Sequence, residues 1–121
     1  MTASEFNYLK AIEELSSKGE EVKLTDVANK MMFAKPSVYR AVEKLVATGY
    51  IMRNKNKSIS LIDKGKAALE EYLVCIRFIA KSIAKNWNIS PQIAYMDAVN
   101  TVCIISNASR LAILNHLNKI K

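Results

Sequence analysis

The segment "KPSVYRAVEKLVATGYIMRNKNKSISLI", residues 35–62, constrains the fold more than any other. Pro36 is typical of a first helical turn and Gly49 of the residue after a last turn, so a helix is predicted between them. Beyond it, Ile59 and Leu61 alternate with serines after the polar tip "KNK", which predicts a β-hairpin. The helix should bury one apolar stripe, which consists of Val38, Ala41, Val42, Leu45 and Val46.

Helical periodicity predicts further helices on both sides of this segment. Before it lie "SEFNYLKAIEELSSKGE" and the shorter "KLTDVANKMM", in which Thr25 is expected to cap the helix and Asp26 to lie in its first turn. After it, a long helix is predicted from Asp63 to Trp87, and its apolar residues, including Trp87 and Tyr72, are expected in the core. Two more helices follow, the first of them starting at Pro91.

The order of helix, short helix, Pro-started helix and basic hairpin is that of a winged helix-turn-helix. The sequence therefore predicts a mainly α fold with a small β-hairpin, in two parts. Residues 1–66 are expected to form a winged helix-turn-helix domain that binds DNA, and residues 67–121 a helical dimerisation domain. A helix about 10–12 Å across fits the major groove, while a cationic hairpin tip reaches phosphates or the minor groove.

The whole chain has a net charge of +7, and its positive charge is concentrated in the middle third. Residues 30–66 carry nine Lys or Arg against two acids (+7), residues 1–29 three against six (−3), and residues 67–121 six against three (+3). Such a segment indicates an anionic partner, with double-stranded DNA as the first interpretation and an acidic membrane surface as the second. The alternative is a solvated face without a partner.

The predicted DNA contacts divide into phosphate contacts, which position a protein, and base contacts, which specify sequence. Arg40 is the candidate for a bidentate contact to guanine, with Ser37 and Tyr39 as secondary readers or phosphate donors. Glu43 is expected to accept from cytosine or to orient Arg40 or Lys44. Five or six phosphate contacts predict a slope of about −5 for log affinity against log salt. The cations predicted to contact phosphates are Lys35, Lys44, Arg53, Lys55 and Lys57.

The stretch "PQIAYMDAVNTVCIIS" is apolar on nearly every side. Because a surface helix normally has a polar face, this helix should be covered on more than one side. Neighbouring helices together with the same surface of a second chain would provide that cover, in a twofold homodimer. Burial within one chain is the alternative. The residues predicted at the dimer interface are Ile93, Met96, Val99, Val102, Ile105, Leu111 and Leu114.

Several other classes of protein are not favoured. The sequence has no paired carboxylates, Ser-His or Cys-His arrangement or phosphate-binding loop, so no enzyme and no cofactor are predicted. Cys75 and Cys103 lack the spacing of a zinc site or a disulfide framework and are expected to be reduced core residues. No apolar run near the N-terminus resembles a signal peptide, and residues 72–84 are too charged to span a bilayer. A cytoplasmic protein without membrane contact is expected.

From "LTDVANKMMFAKPSVYRAVEKLVATGYIMRNKNKSISLIDKGKAAL" onward, the sequence resembles the diphtheria-toxin-repressor family of iron- and manganese-dependent repressors. The resemblance continues from "AYMDAVNTVCIIS" to the end of the chain, and the family's Leu-Thr-x-x-Gly after the wing appears as Leu61 to Gly65. It implies a homodimeric transcription regulator, by family analogy a repressor. It also implies the short manganese-type subgroup, which lacks an SH3-like domain.

The resemblance also indicates where metal ligands would lie. Family members bind two transition-metal ions between the first helix, the long helix and the dimerisation helix, through His, Glu, Asp, Cys or Met. In this chain only Cys103, and weakly Asn7, could donate, while Lys10 and Arg77 would repel a divalent ion. The metal ligands are therefore predicted to be lost. The corresponding positions are Asn7, Lys10, Arg77, Lys81, Tyr95, Val99, Val102 and Cys103.

Two interpretations of function follow. The first is a dimeric regulator that does not need a divalent metal, with DNA binding either constitutive or controlled by a non-metal effector. Lys10, Arg77 and Lys81 could form an anion site for such an effector, or Arg77 and Lys81 could belong with Lys85 to an ordinary exposed stripe. The second is a winged-helix module for protein interaction, which forms heterodimers with another regulator through residues 91–120.

Overall fold

The computed structural model describes residues 1–119, which contain six helices and one two-stranded sheet. The chain divides into two compact units, one of residues Ser4–Leu69 and one of Met1–Ala3 with the chain from Glu70 onward. The predicted mainly α fold with a small hairpin is confirmed. Across residues 1–119, no helix combines the length and the apolar character needed to cross a bilayer. In chain order the elements are α1 (Ala3–Ser16), α2 (Leu24–Met31), α3 (Lys35–Thr48), β1 (Ile51–Arg53), β2 (Ile59–Leu61), α4 (Asp63–Trp87), α5 (Pro91–Ile104) and α6 (Asn107–Lys119).

In the unit Ser4–Leu69, the first three helices and the hairpin bury their apolar faces in one core. Strands β1 and β2 pair antiparallel with Ile51 opposite Leu61, and Val22 adds an isolated bridge to Ile59. Each fully buried aliphatic or aromatic side chain stabilises a fold by about 1.5–3 kcal/mol relative to its exposure. The buried side chains of this core include Phe6, Leu9, Ile12, Val27, Val38, Val42, Leu45, Ile51, Ile59 and Leu61.

The ends of α3 lie where the sequence predicts them, but the start of α2 does not. Pro36 lies in the first turn of α3, and Gly49 ends that helix with a left-handed φ of 82°. Helix α2 begins at Leu24, so the prediction that Thr25 caps it is wrong. Asp26 causes the difference, because its Oδ2 accepts from the backbone N–H of Lys23 at 2.8 Å. That contact satisfies the donor before the first turn without the threonine.

Gly65 allows α4 to begin directly against the end of α3. A Cβ at Gly65 would overlap the backbone carbonyl of Tyr50. The same carbonyl oxygen accepts from the N–H of Ile62 at 3.1 Å, which holds the two segments together. Only glycine fits this approach without moving the backbone, which gives a packing reason for Gly65 after the hairpin.

In the second unit, the apolar line of α4 is buried at Tyr72, Cys75 and Ile76 but not at its end. The Tyr72 hydroxyl accepts from the N-terminal amine at 2.8 Å, and the Arg110 guanidinium lies 4.4 Å from its ring centre. Neither Cys75 nor Cys103 forms a disulfide within the described residues, and burial raises the pKa of the Cys75 thiol. The prediction that Trp87 lies in the core is wrong, since its side chain is 68% exposed at the last position of α4.

Candidate nucleic-acid interface

Helix α3 turns one apolar stripe inward and presents a polar face to solvent. Val38, Val42 and Leu45 are buried in the core of the first unit. Its first turn contains no acidic residue, and Glu43 is the only carboxylate on the helix. The polar residues that the sequence predicts as DNA contacts are all exposed, namely Lys35, Ser37, Tyr39, Arg40 and Lys44.

The hairpin tip is held in one shape by asparagine and serine side chains. The N–H of Asn54 donates to the carbonyl of Ser58 at 2.8 Å, and Lys57 has a left-handed φ of 68°. The amide of Asn54 also donates to the hydroxyls of Ser58 and Ser60, at 2.8 and 2.9 Å. Lys55 and Lys57 are therefore exposed on a turn that these hydrogen bonds hold in place.

A second contact ties the tip to the rest of the first unit. The amide of Asn56 donates to Oε1 of Glu21 at 2.7 Å, and its Oδ1 accepts from the Ser58 hydroxyl at 2.7 Å. The sequence-based prediction did not include Asn54 or Asn56, whose side chains hold the hairpin tip. The available signal was their position beside the tip lysines, where asparagine is a common turn residue.

Arg53 joins the base of the hairpin to the polar face of α3. Its Nε donates to Oε1 of Glu43 at 2.8 Å, and its Nη2 lies 2.6 Å from the same oxygen. The Arg53 guanidinium also lies 5.2 Å from the centre of the Tyr39 ring. These contacts connect the base of the hairpin to the exposed side of α3.

The contact with Arg53 corrects the sequence-based role of Glu43. The sequence predicts that Glu43 orients Arg40 or Lys44. In the structure its carboxylate instead binds Arg53, ten residues further along the chain. Arg53 itself was grouped with the free cations of the tip, but the structure engages it in an ion pair. A guanidinium that is already paired with a carboxylate attracts a phosphate more weakly than an unpaired one does.

Five other cations of α3 and the hairpin tip are exposed, and we refer to them together as the basic face. Within residues 1–119, none of the five forms an ion pair, and only Arg40 has a side-chain contact, a long one of 3.5 Å to the Ser37 hydroxyl. Because none of them is paired with a carboxylate, their charge is available to an anion. The basic face consists of Lys35, Arg40, Lys44, Lys55 and Lys57.

The turn between α2 and α3 exposes two apolar side chains that sequence reasoning did not single out. Met32 has a left-handed φ of 58° and is 90% exposed, and Phe33 is half exposed with its ring 6.1 Å from that of Tyr8. They precede the first turn of α3. Apolar groups at such a position can contact a thymine methyl in the major groove.

The predicted dimer residues fall into three groups. Ile93, Met96 and Leu111 are exposed, and Ile105 and Leu114 are partly exposed, so these five remain available to a partner. Val99 and Val102 are buried within the single chain, which removes them from the predicted interface. Ile104, which the sequence did not place there, is 84% exposed.

The positions that the resemblance assigns to metal ligands offer few donors. Lys10 lies 3.6 Å from Glu14 in an ion pair, Val99 and Val102 are buried apolar residues, and Arg77 is an exposed cation. Among residues 1–119, no group of three or more His, Cys, Asp or Glu could hold a metal ion. These side chains do not fit a divalent transition metal, which needs several lone-pair donors in one shell.

No protein-family model matches the chain, and no curated protein matches it significantly. Solved structures do match it. A hypothetical protein from Sulfolobus solfataricus is 23% identical with a TM-score of 0.80, over 98% of this chain and 91% of its own. The manganese regulator SloR is 24% identical with a TM-score of 0.77, and the metal-dependent transcriptional regulator MtsR is 24% identical with a TM-score of 0.78. They cover 94% and 98% of this chain.

The chain has a winged helix-turn-helix fold followed by a helical region. It spans about half the length of the two regulators, 53% of SloR and 55% of MtsR. A MarR family protein from Bacillus stearothermophilus is a more distant match, with 18% identity and a TM-score of 0.54. At these identities the likeness establishes the fold, and α3 with the hairpin corresponds to the recognition helix and wing of that fold.

Proposed function

We propose that this chain is a cytoplasmic, dimeric, sequence-specific regulator of transcription that binds double-stranded DNA and is not an enzyme. The observation that carries the proposal is the basic face. It combines the exposed side of the recognition helix with the wing, and the Arg53 contacts with Glu43 and Tyr39 hold the two together. The structural likeness to transcription regulators supports the same function.

In the proposed complex, α3 enters the major groove and the wing follows the adjacent backbone. Arg40 lies on the exposed side of α3 and would donate both guanidinium arms to a guanine edge. Lys35, Lys44, Lys55 and Lys57 would contact phosphates. Because Arg53 is paired with Glu43, we count four phosphate contacts per chain, which gives a salt slope of about −3.6 per bound chain rather than about −5.

Dimerisation would follow from apolar surface in the second unit. Ile93, Met96 and Ile104 are each more than half exposed on α5, and Leu111 adds a fourth exposed apolar side chain on α6. Exposed apolar residues that cluster on neighbouring segments mark interaction sites more often than isolated ones do. A twofold dimer would also place two recognition helices on successive half-sites, which is how such proteins bind palindromic operators.

DNA binding is proposed to be independent of divalent metal, because the positions expected to hold ligands carry Lys10, Arg77, Val99 and Val102. Repression would then result from occupancy of the operator. The experiment is selection of bound duplexes from a random pool, run with EDTA and again with manganese or iron. We expect the same half-site in both conditions. A half-site that appears only with metal would contradict this part, and failure to enrich any duplex would contradict DNA recognition.

A second candidate function is a protein-interaction module, in which the exposed Ile104 would contact a different protein instead of a second copy of the chain. It would form a heterodimer with another regulator through α5 and α6. Sedimentation of the purified chain separates the two functions, because a DNA-binding homodimer should form alone. A chain that stays monomeric and binds no duplex would favour the interaction module.

A further inference from the structure

A groove in the second unit combines a row of cations with an apolar floor. Arg77, Lys81 and Lys85 follow one another at intervals of four residues along α4, so they lie on one side of that helix. The floor is formed by Ala80 and Ala84 of the same helix. Ile89, Pro91 and Tyr95, from the connection and the start of α5, line the rest.

The size of the groove suits a small molecule. Its volume is about 580 Å³, within the range of about 300–1,000 Å³ that is usual for ligand pockets. Arg77 and Lys85 are eight positions apart on the helix, which corresponds to roughly 12 Å of length. An elongated ligand of modest width would lie along the row of cations.

The charges of the groove select for an anion. No acidic residue lines it, and within residues 1–119 no carboxylate lies within ion-pair distance of Arg77, Lys81 or Lys85. The guanidinium of Arg77 offers the planar pair of donors that matches a carboxylate, while the lysines add charge and apolar stems. A second copy of this surface is a poor occupant, because twofold contact would bring like charges together.

We propose that this groove binds an amphipathic organic carboxylate, with its acid group held by Arg77 and Lys81 and its hydrocarbon part along Ala80, Ala84 and Ile89. The site does not use the basic face of the first unit. It does not depend on DNA binding, so it could be present whether or not the proposed regulator function is correct.

The test is calorimetric titration of the full chain with decanoate, in the absence of DNA. Two further probes separate the contributions: acetate carries the charge without the chain, and decyltrimethylammonium carries the chain with the opposite charge. Decanoate should bind, and both other probes should bind at least about tenfold more weakly, since charge and apolar burial each contribute a factor of that order.

Variants locate the binding. Lys81→Glu reverses one charge at an exposed position, and Ala84→Leu fills the floor with a good helix former. Each should weaken decanoate binding about tenfold or more, whereas Lys119→Glu, the same charge change outside the groove, should leave it unchanged. Circular dichroism confirms that each variant is folded. Absence of decanoate binding, equal binding of the cationic probe, or full binding by Lys81→Glu would each overturn the proposal.

Discussion

Replacing Glu43 by glutamine should make DNA binding stronger and more dependent on salt. In the structure, Oε1 of Glu43 accepts from Nε of Arg53 at 2.8 Å and lies 2.6 Å from Nη2 in an ion pair. The two side chains are 47% and 32% exposed, so solvent screens the pair and its contribution to folding is about 0.2–1 kcal/mol. Glutamine can still accept one hydrogen bond, so we expect a loss of about 0.5 kcal/mol of folding free energy.

The gain on DNA comes from the released guanidinium. A neutral amide holds the Arg53 guanidinium more weakly than a carboxylate, so Arg53 can turn to one additional phosphate, which steepens the slope of log affinity against log salt by about 0.9 per chain. Removing the Glu43 carboxylate, which is exposed on the same helix as Arg40 and Lys44, also reduces repulsion of the duplex. The additional phosphate contact and the reduced repulsion should together raise affinity at low salt by a factor of about two to five, roughly 0.5–1 kcal/mol.

Fluorescence anisotropy with a labelled duplex, titrated at several salt concentrations, measures both quantities. Arg53→Gln alone should leave the slope nearly unchanged, and Glu43→Gln with Arg53→Gln should return it to the wild-type value. Glu70→Gln, an acid on α4 outside this surface, controls for net charge. An unchanged slope for Glu43→Gln would refute the reasoning, and weaker binding only to cytosine-containing sites would mean that Glu43 reads a base.

Three further changes test the recognition residues, the packing and the electrostatics. Arg40→Ala should relax specificity at one base position, by about 1–3 kcal/mol, whereas Lys55→Ala should weaken all duplexes alike and reduce the salt slope by about 0.9. Gly65→Ala should lower the free energy of unfolding by about 1–3 kcal/mol, because its Cβ would overlap the Tyr50 carbonyl. Glu14→Gln should remove one source of acid sensitivity, seen in urea unfolding as a function of pH.

The signs and controls of the last two follow from the structure. At an exposed helix position, alanine is more favourable than glycine by about 1 kcal/mol. Ala67→Gly measures this difference in helix propensity. The free-energy cost of the overlap in Gly65→Ala must exceed it. Partial burial raises the pKa of Glu14, but hydrogen bonds and charges from Lys30 and Lys10 outweigh it and leave that pKa lowered. The stabilisation is present above the ordinary pKa of 4.5 and is lost as pH falls through the lowered folded value.

For Gly65→Ala, stability equal to the wild type would contradict the packing argument. For Glu14→Gln, an unfolding free energy with the same pH dependence as the wild type would show that its ion pairs contribute nothing. Equal losses of specificity from Arg40→Ala and Lys55→Ala would contradict the division between base and phosphate contacts.

Local patterns were sufficient to predict most of the first unit. Pro36 and Gly49 mark the ends of α3 because they act through their own backbone dihedrals. The hairpin and the exposure of Lys55 and Lys57 also follow from short-range pattern. The start of α2 differs from the prediction because the helix begins at Leu24, where Asp26 accepts from the N–H of Lys23 and Thr25 is not the cap.

Contacts between distant positions could not be predicted in the same way. The Glu43–Arg53 pair joins a helix to a strand, and helical periodicity says nothing about which cation its carboxylate meets. Similarly, a helix that is apolar all round does not show which stripe turns inward. The structure places Val99 and Val102 inside and leaves Ile104 outside, although all three are equally apolar in the sequence.

The salt dependence of duplex binding tests the central claim most directly. The claim is that four lysines of the basic face, Lys35, Lys44, Lys55 and Lys57, neutralise DNA phosphates. Log affinity should fall against log salt with a slope of about −3.6 per bound chain, and replacing all four by glutamine in a folded variant should bring it close to zero. Binding that is insensitive to salt, or a slope that survives the fourfold replacement, would contradict the account.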